Sequence, residues 1–381
     1  MQQDHDEKFM QGALHLARRG LGTTSPNPAV GAVVVQEIDG VFFIVGRGVT
    51  GVGGIPHGEP QALGQAGNLA KGAALYVTLE PCNHHGRTPP CTEAIINAGI
   101  KRVVVGSTDL DERVKGTGLK RLEDAGLEVV TGVCREDADH INKGHFLRAT
   151  ENRPYIIVKM AVSSNGLVAK ASDNSPTWVT SPLARMRGHV LRAEADAILI
   201  GRKTAENDNP TLTCRLNGLS KRSPQPIIID QNLSLSETLK VFNTTAEPSP
   251  NQVPWVITST DHSEQKMAAY KKRSCKLLLV EPKTNQSTGQ EELEAKSIAH
   301  AISEQGITRL LIEGGPTTAK GFLESGIVDQ VNIFKGASEL KEDGMLPFST
   351  HPLSWLEENC GFELHSTQEL GSNTMEQYLK K

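Results

Sequence analysis

Short runs of Val, Ile and Leu alternate, over the first 150 residues, with stretches whose apolar positions recur at helical spacing. The runs at 29–36, 41–49, 73–79, 102–106 and 127–131 are apolar enough for central strands covered on both faces. Helices are predicted over 7–19, 60–69, 92–98 and 115–125, with Gly20, Gly99 and Gly126 placed to end three of them. This alternation predicts an α/β domain whose helices cover a sheet.

A polar, partly helical stretch over 135–152 ends at Arg153-Pro154, and a second alternation begins there. Its strands are predicted at 155–162, 197–200, 226–229, 255–258, 276–280, 309–312 and 328–334. Pro/Ser/Thr/Asn-rich segments at 243–254 and 282–290 read as surface loops. Two domains follow, 1–150 and 151–381, and no internal repeat relates them.

A length of 381 residues fits two domains. Forty Lys+Arg against 44 Asp+Glu leave a net charge of −4, so the chain has no basic field for nonspecific nucleic-acid binding. No nucleic-acid partner is expected. No segment approaches the roughly 18 consecutive apolar residues of a membrane span. The first residues, Met1-Gln-Gln-Asp-His-Asp-Glu-Lys8, are polar and acidic and do not read as a secretory signal. Six cysteines in this length are too few for a disulfide scaffold, and the expected compartment is the reducing cytoplasm.

Chemistry concentrates in His57-Gly58-Glu59 and in the segment from Glu80-Pro81-Cys82 to Pro90-Cys91. Zinc favours imidazole and thiolate, and three protein ligands leave a fourth position for water. His57, Cys82 and Cys91 would supply that set, with Glu59 beside it as a carboxylate that carries protons. Residues two apart point to nearly opposite sides of a regular helix, so His57 and Glu59 can serve one water only at a helix start. Pro60 supports such a start. Cys91 precedes a second predicted helix, whose N-terminus favours thiolate. The order H-x-E then P-C…C is that of zinc deaminases. Their usual second half is C-x-x-C, whereas eight residues separate Cys82 from Cys91 here. The bland alternative is a structural zinc or two buried thiols.

Two glycine motifs read differently. Gly46-Arg47-Gly48-Val49-Thr50-Gly51 fits G-x-G-x-x-G, but no helix can open inside it, so a glycine-rich loop at the mouth of the zinc site is the preferred reading over dinucleotide binding. Glu313-Gly314-Gly315-Pro316-Thr317 lies between a predicted strand and a helix predicted at 318–323, where close backbone approach and free N–H groups suit phosphate.

The segment Pro81-Cys82-Asn83-His84-His85-Gly86-Arg87-Thr88-Pro89-Pro90-Cys91 resembles P-C-S-H-x-G-[KR]-T-P-P-C of the bifunctional deaminase/reductase of riboflavin biosynthesis, the RibD type. Asn27-Pro28-Ala29-Val30-Gly31 is similar to that family's N-P-x-V-G. Further matches are Lys159, Trp178-Val-Thr-Ser181, Gly201–Thr204, Asp208-Asn-Pro-x-Leu-Thr-x-Arg215 and Glu313–Thr317. Four positions depart from the pattern: Asn83 stands where serine is usual, Gly58 where alanine is usual, Thr50 where the family carries histidine, and Asn165 where it carries aspartate.

The resemblance implies a cytidine-deaminase-like α/β/α sandwich followed by a dihydrofolate-reductase-like α/β domain. It implies zinc on His57, Cys82 and Cys91, Glu59 as proton shuttle, and Asn27, His84 and Arg87 on the substrate. In the second domain it implies NADPH, held by Ala161, Trp178, Thr204, Asp208, Gly314, Gly315, Pro316, Thr317 and Thr318. Lys159, Asp208 and Glu313 are its catalytic or orienting groups, with Ser175, Arg192, Leu212, Arg215 and Glu313 on the substrate. A phosphorylated diaminopyrimidinone would lose its ring 2-amino group, and hydride would then open the ribosyl ring to ribityl. The expected assembly is a homo-oligomer, a dimer or tetramer. The rivals are a zinc deaminase of another nucleoside or base fused to an unrelated α/β domain, and a regulatory protein with a structural zinc. Cys134, Cys214, Cys275 and Cys360 read as packing thiols.

Overall fold

The computed structural model describes residues 2–112, 114–169, 179–242, 253–284, 289–340 and 344–381. The chain divides into two units, Met1–Asn152 and Arg153–Lys381. Much of the two predicted loops, 243–254 and 282–290, lies outside the described residues.

The first unit runs α1 (Gln2–Gly20), β1 (Gly31–Ile38), β2 (Val41–Val49), α2 (Gly58–Ala66), β3 (Ala74–Leu79), α3 (Cys91–Asn97), β4 (Arg102–Ser107), α4 (Thr117–Asp124), β5 (Glu128–Thr131) and α5 (Arg135–Glu151). Its sheet has the order β2-β1-β3-β4-β5. β1 pairs antiparallel with β2 and β3, while β3, β4 and β5 are parallel. Side chains alternate between the faces of a strand. Ala32 and Val34 therefore pack with Leu75, Val77, Ala62 of α2 and Ile95 of α3. Val33 and Val35 pack with Tyr76, Val104, Met10 and Leu14 of α1 and Ile141 of α5. The sandwich inferred from the resemblance is present.

Gly99 and Gly126 take left-handed φ of 70° and 84°, as expected after a helix, but Gly20 is the last residue of α1 and the left-handed glycine is Gly22, at φ 74°. The predicted helix at 60–69 is two pieces, α2 and a 3-10 turn over Gly67–Ala70.

Gly46 and Gly48 are strand residues rather than loop residues, which corrects the expectation of a glycine loop. Their missing side chains let α2 lie directly on β2: a Cβ would meet Ala62 O at 2.1 Å from Gly46 and Gly58 O at 2.0 Å from Gly48. Gly58 is itself close to backbone, its Cβ falling 2.8 Å from Val30 O. Gly48→Ala should push the start of α2 off the sheet and destabilise the unit by about 1–3 kcal/mol. Thermal melting and zinc content of that variant check this together, because the same helix start carries His57 and Glu59.

The second unit begins with β6 (Tyr155–Val162), β7 (Val168–Ala169), α6 (Pro182–Ala193), β8 (Ala197–Gly201), α7 (Arg202–Asp208), β9 (Gln225–Ile229) and β10 (Trp255–Ser259). It continues through α8 (Glu264–Lys271), β11 (Lys276–Val280), β12 (Lys283–Thr284), β13 (Glu291–Glu292), α9 (Ala295–Glu304), β14 (Arg309–Ile312) and α10 (Pro316–Glu324). It ends with β15 (Gln330–Lys335), β16 (Gly344–Met345), α11 (Trp355–Glu358), β17 (Phe362–Leu370) and β18 (Asn373–Lys380). The main sheet has the order β11-β10-β9-β8-β14-β6-β15-β18-β17. It is parallel from β11 to β15, and β18 pairs antiparallel with both β15 and β17. Ile156, Val158, Leu199, Leu310 and Ile312 build its core with Ile298 and Ile302 of α9 and Phe322 of α10. The predicted strand at 328–334 starts at Gln330, and the hairpin of β17 and β18 had no counterpart in the sequence reading.

Candidate functional site

His57 is the N-cap of α2, extended at φ −68° and ψ 163°, and Glu59 lies in the helix's first turn. This placement lets the two side chains serve one point despite their spacing. Cys82 follows β3 and Cys91 is the first residue of α3. The ligand atoms of His57, Cys82 and Cys91 all lie within 4.8 Å of one another. His57 Nδ1 is 3.2 Å from Cys91 Sγ and 3.6 Å from Cys82 Sγ. One imidazole nitrogen and two sulfurs, converging and largely shielded, fit the donor set of a three-ligand zinc site.

The free N–H at the start of α3 belongs to Cys91 but points at Cys82 Sγ, 3.4 Å away. The helix end thus serves the neighbouring sulfur rather than the cysteine that opens it. Hydrogen bonding from Cys91 lowers the Cys82 thiol to about 4, against its burial, while Cys91 is pushed up by that bond and by its own burial. Glu59 is buried, and burial followed by the nearby Cys82 sulfur raises its carboxyl to about 7. Its Oε2 has no hydrogen-bond partner among the described residues. The same holds for the buried Nδ1 of His84.

His57, Glu59, Cys82 and His84 line a cavity of about 230 Å³ with Asn27, Arg87 and Thr50. Asn27 Nδ2 donates to Gly54 O at 2.8 Å and approaches His57 Nε2 at 3.5 Å, on the ring edge opposite the sulfurs. Thr50, the departure from the family's histidine, is buried, and its Oγ1 accepts the Val30 N–H at 3.0 Å. Asn83, also a departure, ties the insert down through Thr92 Oγ1 at 3.0 Å and Thr117 O at 3.3 Å.

Sequence reasoning missed part of the cavity wall. Asp109 and His145 line it as a pair, with His145 Nε2 3.0 Å from Asp109 Oδ1. The buried Glu80 carboxylate accepts the N–H groups of Gly116, Gly118, Asp109 and Leu119 at 3.0, 3.0, 3.3 and 3.4 Å. It clasps the β4–α4 connection that supplies Asp109 to the wall. No motif marks either feature; Glu80 was visible only as the residue before Pro81.

In the second unit, Glu313 follows β14. Its two oxygens accept Arg192 Nε at 2.8 Å and Nη2 at 3.0 Å, and Lys159 Nζ is 3.9 Å from Oε2. Arg192 Nη1 also donates to Thr213 O at 2.8 Å. Burial alone would raise the Glu313 carboxyl, but Arg192 and Lys159 pull it down to about 2. Thr204 Oγ1 accepts the Gly315 N–H at 2.9 Å, and Gly315 caps α10, whose first residue is Pro316. A Cβ on Gly314 would meet Thr318 Cβ at 2.8 Å, so the turn closes only on glycine. Leu212 is buried with a left-handed φ of 57°. Ala161 pairs with Phe334 on the neighbouring strand. Asp208 is exposed at the end of α7 and shows no side-chain hydrogen bond to this cluster among the described residues. Ser175 and Trp178 lie outside the described residues. Asn165 sits in a turn: its Oδ1 accepts the Leu340 N–H at 3.1 Å and its Nδ2 donates to Leu340 O at 2.7 Å. Aspartate could not make the second bond. All six cysteines are free thiols.

Residues 3–107 match the cytidine and deoxycytidylate deaminase zinc-binding region, and residues 154–337 match the RibD C-terminal domain. The chain is 41% identical to the riboflavin biosynthesis protein RibD of Aquifex aeolicus over 86% of each chain. It is 37% identical to that of Escherichia coli over 89% of each. Among solved structures, RibD of Acinetobacter baumannii aligns with a TM-score of 0.83 at 30% identity, over 100% of this chain and 99% of that one. A diaminohydroxyphosphoribosylaminopyrimidine deaminase/5-amino-6-(5-phosphoribosylamino)uracil reductase of Thermotoga maritima aligns over 100% of both chains, with a TM-score of 0.82 at 31% identity. A second domain unrelated to the first domain's pathway is therefore not the better reading. With a zinc-deaminase region and a reductase domain of this type in one chain, the protein belongs to the RibD family, the bifunctional deaminase/reductase of riboflavin biosynthesis.

Proposed function

We propose that the unit Met1–Asn152 removes the ring 2-amino group of a phosphoribosylated diaminopyrimidinone, and that Arg153–Lys381 then reduces the ribosyl group of the resulting aminouracil with NADPH. The observation that carries the first step is the convergence of His57, Cys82 and Cys91 beside a buried carboxylate oxygen with no hydrogen-bond partner among the described residues. Zinc held by these three side chains supplies a Lewis acid that makes water nucleophilic near neutral pH. Glu59 takes the proton from the attacking water, delivers it to the ring nitrogen and relays a proton to the departing ammonia. Asn27, held through its Nδ2 on Gly54 O, presents its amide oxygen to the base. His84 offers its unpartnered Nδ1 to the substrate, and Arg87 takes the phosphate.

In the second unit NADPH supplies the hydride. Thr204 and the turn from Gly314 to Thr318 hold its phosphates at the start of α10, with Ala161, Trp178 and Asp208 completing its site. Lys159 and Glu313 orient the ribosyl group, and Ser175, Leu212 and Arg215 bind the rest of the substrate. Arg192 holds Glu313 in place. This work is mainly positioning. A homo-oligomer in the cytoplasm completes the proposal. Among the described residues no helix is long and apolar enough to cross a membrane.

The test supplies the diaminopyrimidine substrate with and without NADPH and follows ammonia and nicotinamide oxidation separately. Ammonia release in both arms, and oxidation only after deamination, is expected; absence of either activity rejects the corresponding half. Chelation of the metal should abolish ammonia release with the first unit largely folded, since its sheet has its own apolar core on both faces. Circular dichroism after chelation reads this, and unfolding would instead mark a structural zinc.

A further inference from the structure

The reductase cluster contains an imidazole that neither the motif matches nor the assignment above uses. His189 lies on α6 one turn before Arg192, so both face the same side of the helix. Its Nδ1 accepts the backbone N–H of Arg215 at 3.4 Å. A ring nitrogen that accepts carries no proton, so the neutral ring holds its proton on Nε2. Nε2 has no hydrogen-bond partner among the described residues, and the ring is only half-buried.

The surrounding charge is unbalanced. Arg192 from α6, Arg215 from the connection after α7 and Lys159 from β6 face it, against the single carboxylate of Glu313 after β14. Arg192 is committed to Glu313 through two bonds. Arg215 has no carboxylate within ion-pair reach among the described residues and touches only Thr211 Oγ1 at 3.5 Å with its guanidinium. The cluster thus carries an excess of positive charge, and its donors without a hydrogen bond to a carboxylate among the described residues are the Lys159 ammonium, the Arg215 guanidinium and His189 Nε2–H. Burial, then Arg192 and Arg215, lower the imidazole to about 4, so it meets an incoming ligand as a neutral donor.

We propose that His189 donates through Nε2–H to the phosphate monoester of the pyrimidine substrate, beside Arg215. This rests on the reductase assignment of the second unit. A phosphate monoester also occurs at the 2′ position of NADPH, and the test separates the two sources.

The test uses the full chain. His189→Ala should raise KM for the deaminated pyrimidine about tenfold or more, leaving kcat and KM for NADPH little changed. His189→Gln, whose amide N–H reaches the place of Nε2–H but which puts no acceptor where Nδ1 receives the Arg215 N–H, should recover most of the loss. Equal loss in both variants would mean that the ring merely anchors the Arg215 connection, and an unchanged KM in His189→Ala would remove it from the site; either result overturns the proposal. In parallel, the imidazole resonance of His189, assigned by its absence in the Gln variant, should titrate at higher pH with ribose 5-phosphate and not with adenosine 2′-monophosphate. The reverse response would assign the ring to the cofactor and overturn the proposal. If wild-type protein oxidises no NADPH, the reductase reading fails, and the resonance still decides whether His189 meets a sugar phosphate.

Discussion

Glu59→Gln is expected to slow ammonia release by at least about 10²–10⁴-fold while zinc stays bound and NADPH oxidation on the deaminated substrate is unaffected. The glutamate is buried at the first turn of α2 and lines the cavity, and its Oε2 has no hydrogen-bond partner among the described residues. It is not among the converging metal-ligating atoms, so exchanging it should not empty the site. Glutamine keeps the shape but cannot pick up and release a proton. Elemental analysis for zinc and a coupled ammonia assay on the same preparation read both halves of the expectation. Zinc loss, or activity near that of the parent, would take the proton-carrying role away from Glu59.

Glu313→Ala should abolish reduction and destabilise the second unit by about 3–5 kcal/mol, because it strands Arg192 and Lys159 as enclosed cations without a counter-charge. Ammonia release should persist. The same ion pair sets an acid limit. The folded Glu313 carboxyl lies at about 2, below its ordinary 4.5. A depressed carboxyl contributes stability that is complete above the unfolded value and disappears as pH falls towards the folded one. A shift of this size corresponds to roughly 3 kcal/mol. The parent should therefore lose stability between about pH 5 and 2, and Glu313→Ala should lose less over that window. Urea melts at several pH values, followed by the Trp fluorescence of the second unit, measure the difference.

The parallel cores were legible because strands covered on both faces must be continuously apolar. Residues 155–162 and 309–312 were located to the residue for that reason, whereas 276–280 was found from its apolar run although it is the sheet's edge strand, with Lys276 and Leu279 exposed. The hairpin of β17 and β18 was not, since β17 (Phe362–Leu370) is buried only at its two ends and carries exposed side chains between them, polar except for Leu364. The metal cluster was legible because its residue types are rare and their order is distinctive. His145, Asp109 and His189 were not, because each acquires its place from a tertiary contact over a long sequence interval: 36 residues between His145 and Asp109, 26 between Arg215 and His189. Asn165 shows the opposite case. A departure from the family pattern becomes intelligible once its amide is seen bonding Leu340 in both directions.

The fork of Arg192 grips both oxygens of Glu313 and a backbone carbonyl at once. A lysine keeps the charge of that group but cannot span three acceptors. Drift at this position is therefore constrained by geometry more than by electrostatics, and the two residues should be inherited as one unit: lineages that give up the guanidinium should give up the carboxylate with it.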